Sequence, residues 1–209
     1  MTVHSRVPPR RAPFLLSLAL VPLLFTACGH ETKVTRVDTA TVTDLSGRWN
    51  DTDSRMVAEE MIKTSLSSAW LANYTREKIR QPVVIVGTIL NRSHEHIDIQ
   101  TFVNDLSREL INSGKVKFVA TKGERDELRD ERRDQAIHAR ENTQKGPGRE
   151  TGADYMLKGY ISTILDEQDK TRATFYQVDL ELIDLESNEK SWIGQKKIKK
   201  VIERKRSVF

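Results

Sequence analysis

Three residues near the middle of the chain have the types and spacing of metal ligands. His94, His96 and Asp98 lie two positions apart, so in a strand their side chains would point to one side. Imidazole and carboxylate groups bind zinc and related ions, but a closed site needs about four ligands. No further cluster of histidine and cysteine accompanies these residues in the sequence. We therefore favour a polar loop whose Asp98 helps to cap the following helix, and we predict no bound metal.

Catalytic motifs are also missing from the sequence. No Gly-x-Ser-x-Gly elbow is present. The glycines of Gln144–Gly152 do not match a phosphate-binding loop, because no Gly-Lys-Ser/Thr follows them. Carboxylate pairs are numerous, and none lies in an apolar segment of the kind that tunes a catalytic acid. We predict that the protein is not an enzyme and carries no cofactor.

The only cysteine of the chain, Cys28, ends an apolar segment near the amino terminus. Before it lie a basic start, residues 6–11, and an apolar run, residues 12–27, which is shorter than the roughly 20 uninterrupted residues of a membrane span. Residues 1–27 therefore predict a secretory signal peptide. The small residues directly before Cys28 resemble the bacterial lipobox, in which the cysteine is acylated and becomes the first mature residue. The alternative is an ordinary signal peptide or amino-terminal anchor, with Cys28 incidental.

Charge and composition exclude several classes of protein. The formal net charge is +4, but three of these charges belong to Arg6, Arg10 and Arg11 in the predicted signal peptide. The remainder is near neutrality and has no overall electrostatic attraction for nucleic acid. A single cysteine permits no intrachain disulfide and no cysteine-rich metal cage. We predict no nucleic-acid partner.

Residues 28–45 are predicted to be the lipidated cysteine and a flexible tether. The segment is rich in threonine and has no helical period, so it has little apolar surface to bury. A chain of this length extends to about 60 Å at most, and to roughly 20–25 Å as a coil. The tether therefore keeps the domain that follows it close to its membrane.

Residues 46–209 are predicted to be one α+β domain. Asn50, Asp51 and Asp53 offer oxygens for a helix start, and apolar residues at helical spacing then extend to about Tyr74. The remaining elements follow in chain order as a buried strand Val83–Leu90, a helix around Phe102–Leu110 ended by Gly114, a short strand Lys115–Thr121, a charged surface helix within residues 122–143, and strands Asp154–Asp166, Ala173–Leu185 and Ser191–Glu203.

Short polar connections join the last three strands and predict a three-stranded antiparallel meander. The predicted element order is α-β-α-β-α-β-β-β, a mixed sheet packed by helices. On the strand Asp154–Asp166, alternation places Leu157, Ile161 and Leu165 on one face, and on the next strand it places Val178, Leu180 and Leu182 inward.

Two charged stretches are candidate partner-binding surfaces. In the charged helix, arginines recur at a spacing of four residues beside a similar row of aspartates. In the last strand, lysines are frequent. The alternatives are a solvated helix face and, on the strand, lysines that prevent sheet-to-sheet aggregation. The candidate partner-binding residues are Arg125, Arg129, Arg133, Lys197, Lys199 and Lys200.

Several segments in this order resemble one family. They are the lipobox leader, "GRWNDTDSR" at the helix start, a strand followed by "NRSHEHID", "ETGADYMLKGYIS", and the closing "SWIGQKKIKK". Together they resemble the LpoB-type activators of penicillin-binding proteins over about residues 44–202. The "TGADYMLKG" element is similar, more loosely, to CsgG-like lipoproteins and to the amino-terminal domain of TolB.

The resemblance implies an outer-membrane lipoprotein that faces the periplasm. Such a protein would dock on a bifunctional peptidoglycan synthase and activate it allosterically, with no catalytic residues of its own. Two alternatives stay open. One is a CsgG-like envelope secretion or assembly lipoprotein, and the other is a structural lipoprotein that binds peptidoglycan through its basic end.

Overall fold

A computed structural model describes residues 33–203 of the 209. The chain divides into two units, Met1–Val37 and Asp38–Phe209, and every helix and strand described below belongs to the second. The predicted signal peptide and Cys28 lie outside the described residues. Residues 33–50 contain neither helix nor strand, and their side chains are mostly exposed.

The elements confirm the predicted α+β class. The helices are α1 Asp51–Ser67, α2 Ala69–Lys78, α3 Ile99–Asn112 and α4 Lys122–His138. The strands are β1 Val83–Arg92, β2 Lys117–Phe118, β3 Tyr155–Gln168, β4 Thr171–Asp184 and β5 Lys190–Glu203.

One mixed sheet runs through the domain in the order β2-β1-β3-β4-β5. Strand β1 is parallel to both β2 and β3, while β3, β4 and β5 form the predicted antiparallel meander. The predicted strand Lys115–Thr121 is much shorter in the structure. It pairs only through Lys117 and Phe118, at the edge of the sheet next to the start of β1.

Helix α1 begins where its sequence predicts. The Asn50 side chain accepts a hydrogen bond from the Asp53 N–H at 3.1 Å, and the Asp53 carboxylate accepts one from the Asn50 N–H at 3.0 Å. This reciprocal capping box satisfies two of the backbone donors that a helix start leaves free.

The prediction of one helix from α1 to about Tyr74 is wrong, because the chain breaks at Ser68. Ser68 is extended, with φ −85° and ψ 165°. The Ser65 carbonyl accepts hydrogen bonds from the Ser68 hydroxyl at 2.6 Å and from the Trp70 indole at 2.8 Å. These side chains bind a carbonyl that would accept a backbone N–H in a continuous helix. Helix α2 begins after the break, and it buries Trp70 and Tyr74.

The core lies between one face of the sheet and helices α1, α2 and α3. Its largest fully buried side chains include Tyr176, Phe102 and Leu106. Residues Val83–Val86 are all buried, as expected for a strand covered on both faces. Burial alternates along β4 and confirms the inward set Val178, Leu180 and Leu182.

Strand β3 departs from prediction at its carboxyl end. Leu157 and Ile161 are buried, but Leu165 is 41% exposed because the tip of the β3–β4 hairpin carries mostly exposed residues. Gly159 allows β3 and β4 to approach closely, since a Cβ there would lie 2.2 Å from the Asp179 carbonyl oxygen.

The second predicted amphipathic helix is confirmed as α3. Asp98 is its N-cap, with the carboxylate accepting hydrogen bonds from the N–H groups of Gln100 and Thr101. After α3 the chain turns at Gly114, whose φ of +62° is readily adopted only by glycine. No helix within residues 33–203 combines the length and apolar character needed to cross a bilayer.

Candidate functional site

The charged residues predicted as a binding surface have very different surroundings in the structure. Lys200 is buried on the helix side of β5, with its side chain 8% exposed. Its ammonium group donates to the Asp53 carboxylate at 2.6 Å and to the Arg48 carbonyl at 2.9 Å, and it pairs with Asp44 at 2.9 Å. Lys200 therefore holds the domain together and is not available to a partner.

A second, partly buried carboxylate lies at the same end of the domain. Glu95 Oε2 accepts a hydrogen bond from the Tyr176 hydroxyl at 2.8 Å and one from the Trp49 N–H at 3.2 Å. Burial is the largest cause that raises the pKa of Tyr176 above its usual value, and the hydrogen bond to Glu95 is the next largest. We call Asp44, Asp53, Glu95, Tyr176 and Lys200 the tether junction, because they connect the segment after the predicted tether to α1, β4 and β5.

Lys197 and Lys199 lie on the opposite face of β5. Alternation along the strand points both away from the helices, and both are exposed. Within residues 33–203 neither lysine forms an ion pair, and Lys197 lies 6.0 Å from the centre of the Phe175 ring. The two ammonium groups are therefore available to bind an acidic group.

Neighbouring strands extend this cationic surface. The Arg92 guanidinium stacks over Tyr160, 4.6 Å from the ring centre. The nearby acid Asp179 accepts hydrogen bonds from Gln177 and Gln195, each at 2.8 Å. Both Asp179 oxygens accept from glutamine amides, and Asp179 forms no ion pair with Lys197 or Lys199 within residues 33–203. We call Lys197, Lys199, Phe175, Arg92 and Tyr160 the open sheet face.

The predicted arginine row of α4 is mostly engaged by the chain itself. Arg129 forms a two-pronged ion pair with Glu150, at 2.9 and 3.0 Å, and Arg132 contacts the same carboxylate at 2.9 Å. Arg133 pairs with Asp130, and Arg125 donates to the Ala120 carbonyl. We call residues 122–150 the α4 arm.

The electrostatics of the α4 arm are those of an exposed cluster. The hydrogen bond from Arg129 holds the pKa of Glu150 below its usual value. At the start of α4, the hydrogen bond from the Thr121 hydroxyl lowers the pKa of Glu124. No residue of α4 is buried, and its apolar residues Leu128 and Ile137 are 46% and 76% exposed. The helix thus lies on the surface as predicted, but the described residues do not pack its apolar seam.

The predicted alternative for the histidine cluster is confirmed at Asp98, which caps α3. The His94 backbone N–H donates to the Thr163 hydroxyl at 3.2 Å, and its ring Nδ1 lies 3.1 Å from the same oxygen. In the part of the chain that the structure describes, no group of three or more histidine, cysteine, aspartate or glutamate side chains is arranged to hold a metal ion.

One polar cluster has no counterpart in the sequence analysis. Arg80 binds Asp154 through two hydrogen bonds, at 2.7 and 2.9 Å, beside a cleft of about 760 Å³. Burial alone would raise the pKa of Asp154. Hydrogen bonds from Arg80 and from the Val83 N–H, together with the positive charge of Arg80, outweigh burial, and the pKa of Asp154 lies below its usual value. The residues are 74 positions apart in sequence, so spacing gives no signal for the pair.

The fold and these surfaces together define a class of protein. It is an α+β domain whose charged side chains form exposed surfaces and one buried junction, an arrangement suited to binding another macromolecule. Residues 53–198 match the family model described as peptidoglycan-synthase activator LpoB, and the chain belongs to this family. The family is described as one of activators and not of enzymes, and the match does not favour the CsgG-like alternative.

Solved structures of this family are among those similar to the chain. The LpoB C-terminal domain from Escherichia coli is 17% identical with a TM-score of 0.43, covering 70% of this chain and 98% of that one. The corresponding domain from Salmonella enterica is 16% identical with a TM-score of 0.42 and the same coverage. The NMR structure of Escherichia coli LpoB is 16% identical with a TM-score of 0.40, covering 95% and 91%. No curated protein matches the chain.

Proposed function

We propose that this protein is an outer-membrane lipoprotein that binds a bifunctional penicillin-binding protein and activates it allosterically in cell-wall synthesis. The observation that carries the proposal is the family match over residues 53–198. Activation by a partner that performs no chemistry follows from thermodynamic linkage. A protein that binds the active conformation of a synthase more tightly than the inactive one shifts the synthase toward the active state.

The proposed anchor is an acyl chain on Cys28, followed by a tether of limited reach. In the structure Asn50 donates to the Thr43 carbonyl at 3.2 Å, and Asp44 pairs with buried Lys200. The part of the tether that is free to extend therefore ends near Thr43. The reach is at most about 55 Å from Cys28, so the synthase must extend toward the membrane that carries the anchor.

The anchor is tested by replacing Cys28 with alanine. We expect the full-length C28A chain to leave the membrane fraction and to lose incorporation of labelled palmitate, while the wild-type chain keeps both. Equal membrane partitioning and equal labelling of the two chains would contradict acylation at Cys28.

The proposed docking surface is the open sheet face, with Lys197 and Lys199 at its centre. Both ammonium groups are exposed and free of ion pairs within residues 33–203, and Phe175 and Tyr160 add aromatic surface. This chemistry suits an acidic patch on the synthase. We leave Lys200 out because its ammonium is buried on Asp53. The row Arg125, Arg129 and Arg133 is a weaker candidate, since binding there would first break contacts with Glu150 and Asp130.

Binding is tested with the full-length chain, purified in detergent and immobilised. Solubilised envelope proteins are passed over it, and retained synthases are identified by covalent labelling with a fluorescent penicillin. We expect a penicillin-labelled protein to be retained and its rate of glycan polymerisation to rise when the chain is added. A chain that retains no labelled protein and changes no polymerisation rate would contradict the proposal.

The docking surface is tested by reversing charge. We expect the double variant K197E/K199E to lose binding and activation, because both changes place acid against acid. The matched control is K63E/K115E, which changes two other exposed lysines by the same charge. A separate variant, R129E/R133E, tests the arginine row, and unchanged binding by that variant removes the row from the interface. Equal loss of binding in K197E/K199E and K63E/K115E would mean that only net charge matters.

A further inference from the structure

Strand β5 forms an open edge of the sheet. It pairs with β4 on one side, and within residues 33–203 no backbone hydrogen bond joins it to another element on the other side. Every second residue of a strand directs its N–H and C=O groups to the same side. In the part of the chain that the structure describes, the 14 residues of β5 therefore present a row of unpaired backbone donors and acceptors, which can pair with another extended chain. We call this side of the strand the β5 edge.

Helix α1 lies over β5 beside this edge. Lys196 of the strand pairs with Glu60 of the helix. Met56 lies one turn before Glu60 on the same side of α1, and it is 47% exposed. In the segment before α1, the Leu45 side chain is 93% exposed, so it does not pack against the edge. An extended chain added to β5 would therefore lie beside Met56.

Lysines determine which chains the β5 edge accepts. Lys197 and Lys199 point away from the helices, are exposed, and form no ion pair within residues 33–203. Pairing of β5 with the same strand of a second copy would bring these lysines together, and like charges on facing strands are destabilising. A chain with carboxylates on the same face is attracted by the same ammonium groups. The lysines therefore disfavour self-association and favour an acidic partner.

We propose that the β5 edge binds an extended acidic segment of a partner protein by strand addition. Backbone hydrogen bonds to β5 hold the segment, and its side chains alternate between two faces. Carboxylates lie over Lys197 and Lys199, and apolar side chains point toward Met56. The inference deepens the proposed docking, and it rests on the proposed function only for assigning the segment to the synthase.

The first test uses a synthetic peptide and needs no synthase. An end-blocked, fluorescent peptide of about eight residues, in which aspartate and valine alternate, has the length of a strand. A second peptide carries lysine in place of aspartate. Fluorescence anisotropy measures the binding of each peptide to the full-length chain in detergent. We expect saturable binding of the aspartate peptide and no saturation with the lysine peptide, and equal binding of the two would overturn the proposal.

Hydrogen exchange distinguishes strand addition from contact through side chains alone. Amides that β5 directs away from β4 exchange rapidly when they have no partner, and we expect the saturating aspartate peptide to slow them. Amides of β3 should keep their rates. Binding that leaves exchange in β5 unchanged would overturn strand addition, while docking through the exposed lysines would stand. A chain that retains the synthase but binds no aspartate peptide would likewise overturn this inference and leave the proposed function intact.

Charge reversal locates the binding. We expect K197E/K199E to bind the aspartate peptide about tenfold or more weakly and to bind the lysine peptide in its place. The matched control is K115E/K117E, which reverses two exposed lysines at the same spacing at the opposite edge of the sheet. This control should bind the aspartate peptide like wild type. Wild-type affinity in K197E/K199E, or an equal loss in the control, would overturn the assignment of the site.

A variant on α1 tests the other face of the added strand. Met56→Gln keeps the length of the side chain and replaces its apolar tip with an amide. Because the methionine is already half exposed, we expect this variant to fold. The aspartate peptide should bind it about threefold more weakly, since apolar contact with the valines is lost. Unchanged affinity would show that the segment does not lie beside α1 and would overturn the proposed orientation.

Discussion

The tether junction and the α4 arm are both clusters of acids and bases, yet they have opposite positions in the fold. In the junction, Lys200 and Asp53 have side chains only 8% and 9% exposed. In the arm, the side chains of Arg133 and Asp130 are 73% and 68% exposed. Only the arm shows charges at regular spacing in the sequence, whereas Lys200 and Asp53 of the junction lie 147 positions apart.

Burial decides what each cluster contributes. Exposed ion pairs typically contribute about 0–1 kcal/mol, because water and salt screen the attraction. Breaking a buried pair by removing one partner typically costs about 3–5 kcal/mol, because the remaining charge has neither water nor a counter-ion. We therefore expect the junction to govern the stability of the domain and the arm to contribute little to it.

The largest expected effect is that of Lys200→Met. This change removes the ammonium and leaves the Asp53 carboxylate buried without its partner. We expect the free energy of unfolding to fall by about 3–5 kcal/mol, measured by denaturant titration of the full-length chain. The control is Lys199→Met, the adjacent exposed lysine, which should change stability by about 0.5 kcal/mol or less. Equal effects of the two changes would contradict the distinction between buried and exposed charge.

The next largest effect is expected from Tyr176→Phe. The change removes a hydroxyl that donates to Glu95 at 2.8 Å and leaves the packing of the ring intact. We expect a loss of about 2 kcal/mol, as for a hydrogen bond to a charged group. Tyr160→Phe, on the open sheet face, is the matched control and should be near neutral. A Tyr176→Phe chain as stable as wild type would mean that the junction gains nothing from this hydrogen bond.

Most of the fold could be predicted because its signals are local. The capping residues Asn50 and Asp53, the four consecutive buried residues of β1 and the alternation along β4 each report on their own element. The break at Ser68 could not be predicted in this way. It depends on Ser65 accepting hydrogen bonds from two side chains, while the helical spacing of apolar residues continues through it.

The site was less predictable, because its contacts join distant parts of the chain. Lys197, Lys199 and Lys200 are close in sequence, and alternation along β5 places Lys197 and Lys199 on the opposite face from Lys200. The missing information was which face α1 covers, and contacts between distant residues identify it, such as that of Lys200 with Asp53, 147 positions away. Glu150 was likewise no candidate until the structure placed it against Arg129.

Acid titration tests how much the ion pair of Glu150 contributes in the α4 arm. The hydrogen bond from Arg129 lowers the pKa of Glu150 in the folded protein. Its contribution is therefore complete above the unfolded-state pKa of about 4.3, and it is lost as the pH falls through the lower folded-state pKa.

The pKa of Glu150 is measured by carboxyl NMR at low and high salt. Because the cluster is exposed, we expect high salt to move this pKa back toward about 4.3. Replacing Arg129 with alanine should have the same effect at low salt. A folded-state pKa that salt leaves unchanged would place the Glu150 contact among the buried pairs, which salt screens much less.

The smallest effect on global stability is expected from Arg129→Ala. The arginine is exposed and α4 has no buried residue, so the denaturation midpoint should stay within experimental error. The contact with Glu150 nevertheless joins α4 to the segment after it, and local opening has its own free energy. Backbone amides of residues 144–150 should therefore exchange faster in Arg129→Ala, while those of β4 keep their wild-type rates. A shift in the global midpoint as large as that of Lys200→Met would show that the arm belongs to the cooperative core. Unchanged exchange in residues 144–150 would show instead that Glu150 is held by other contacts.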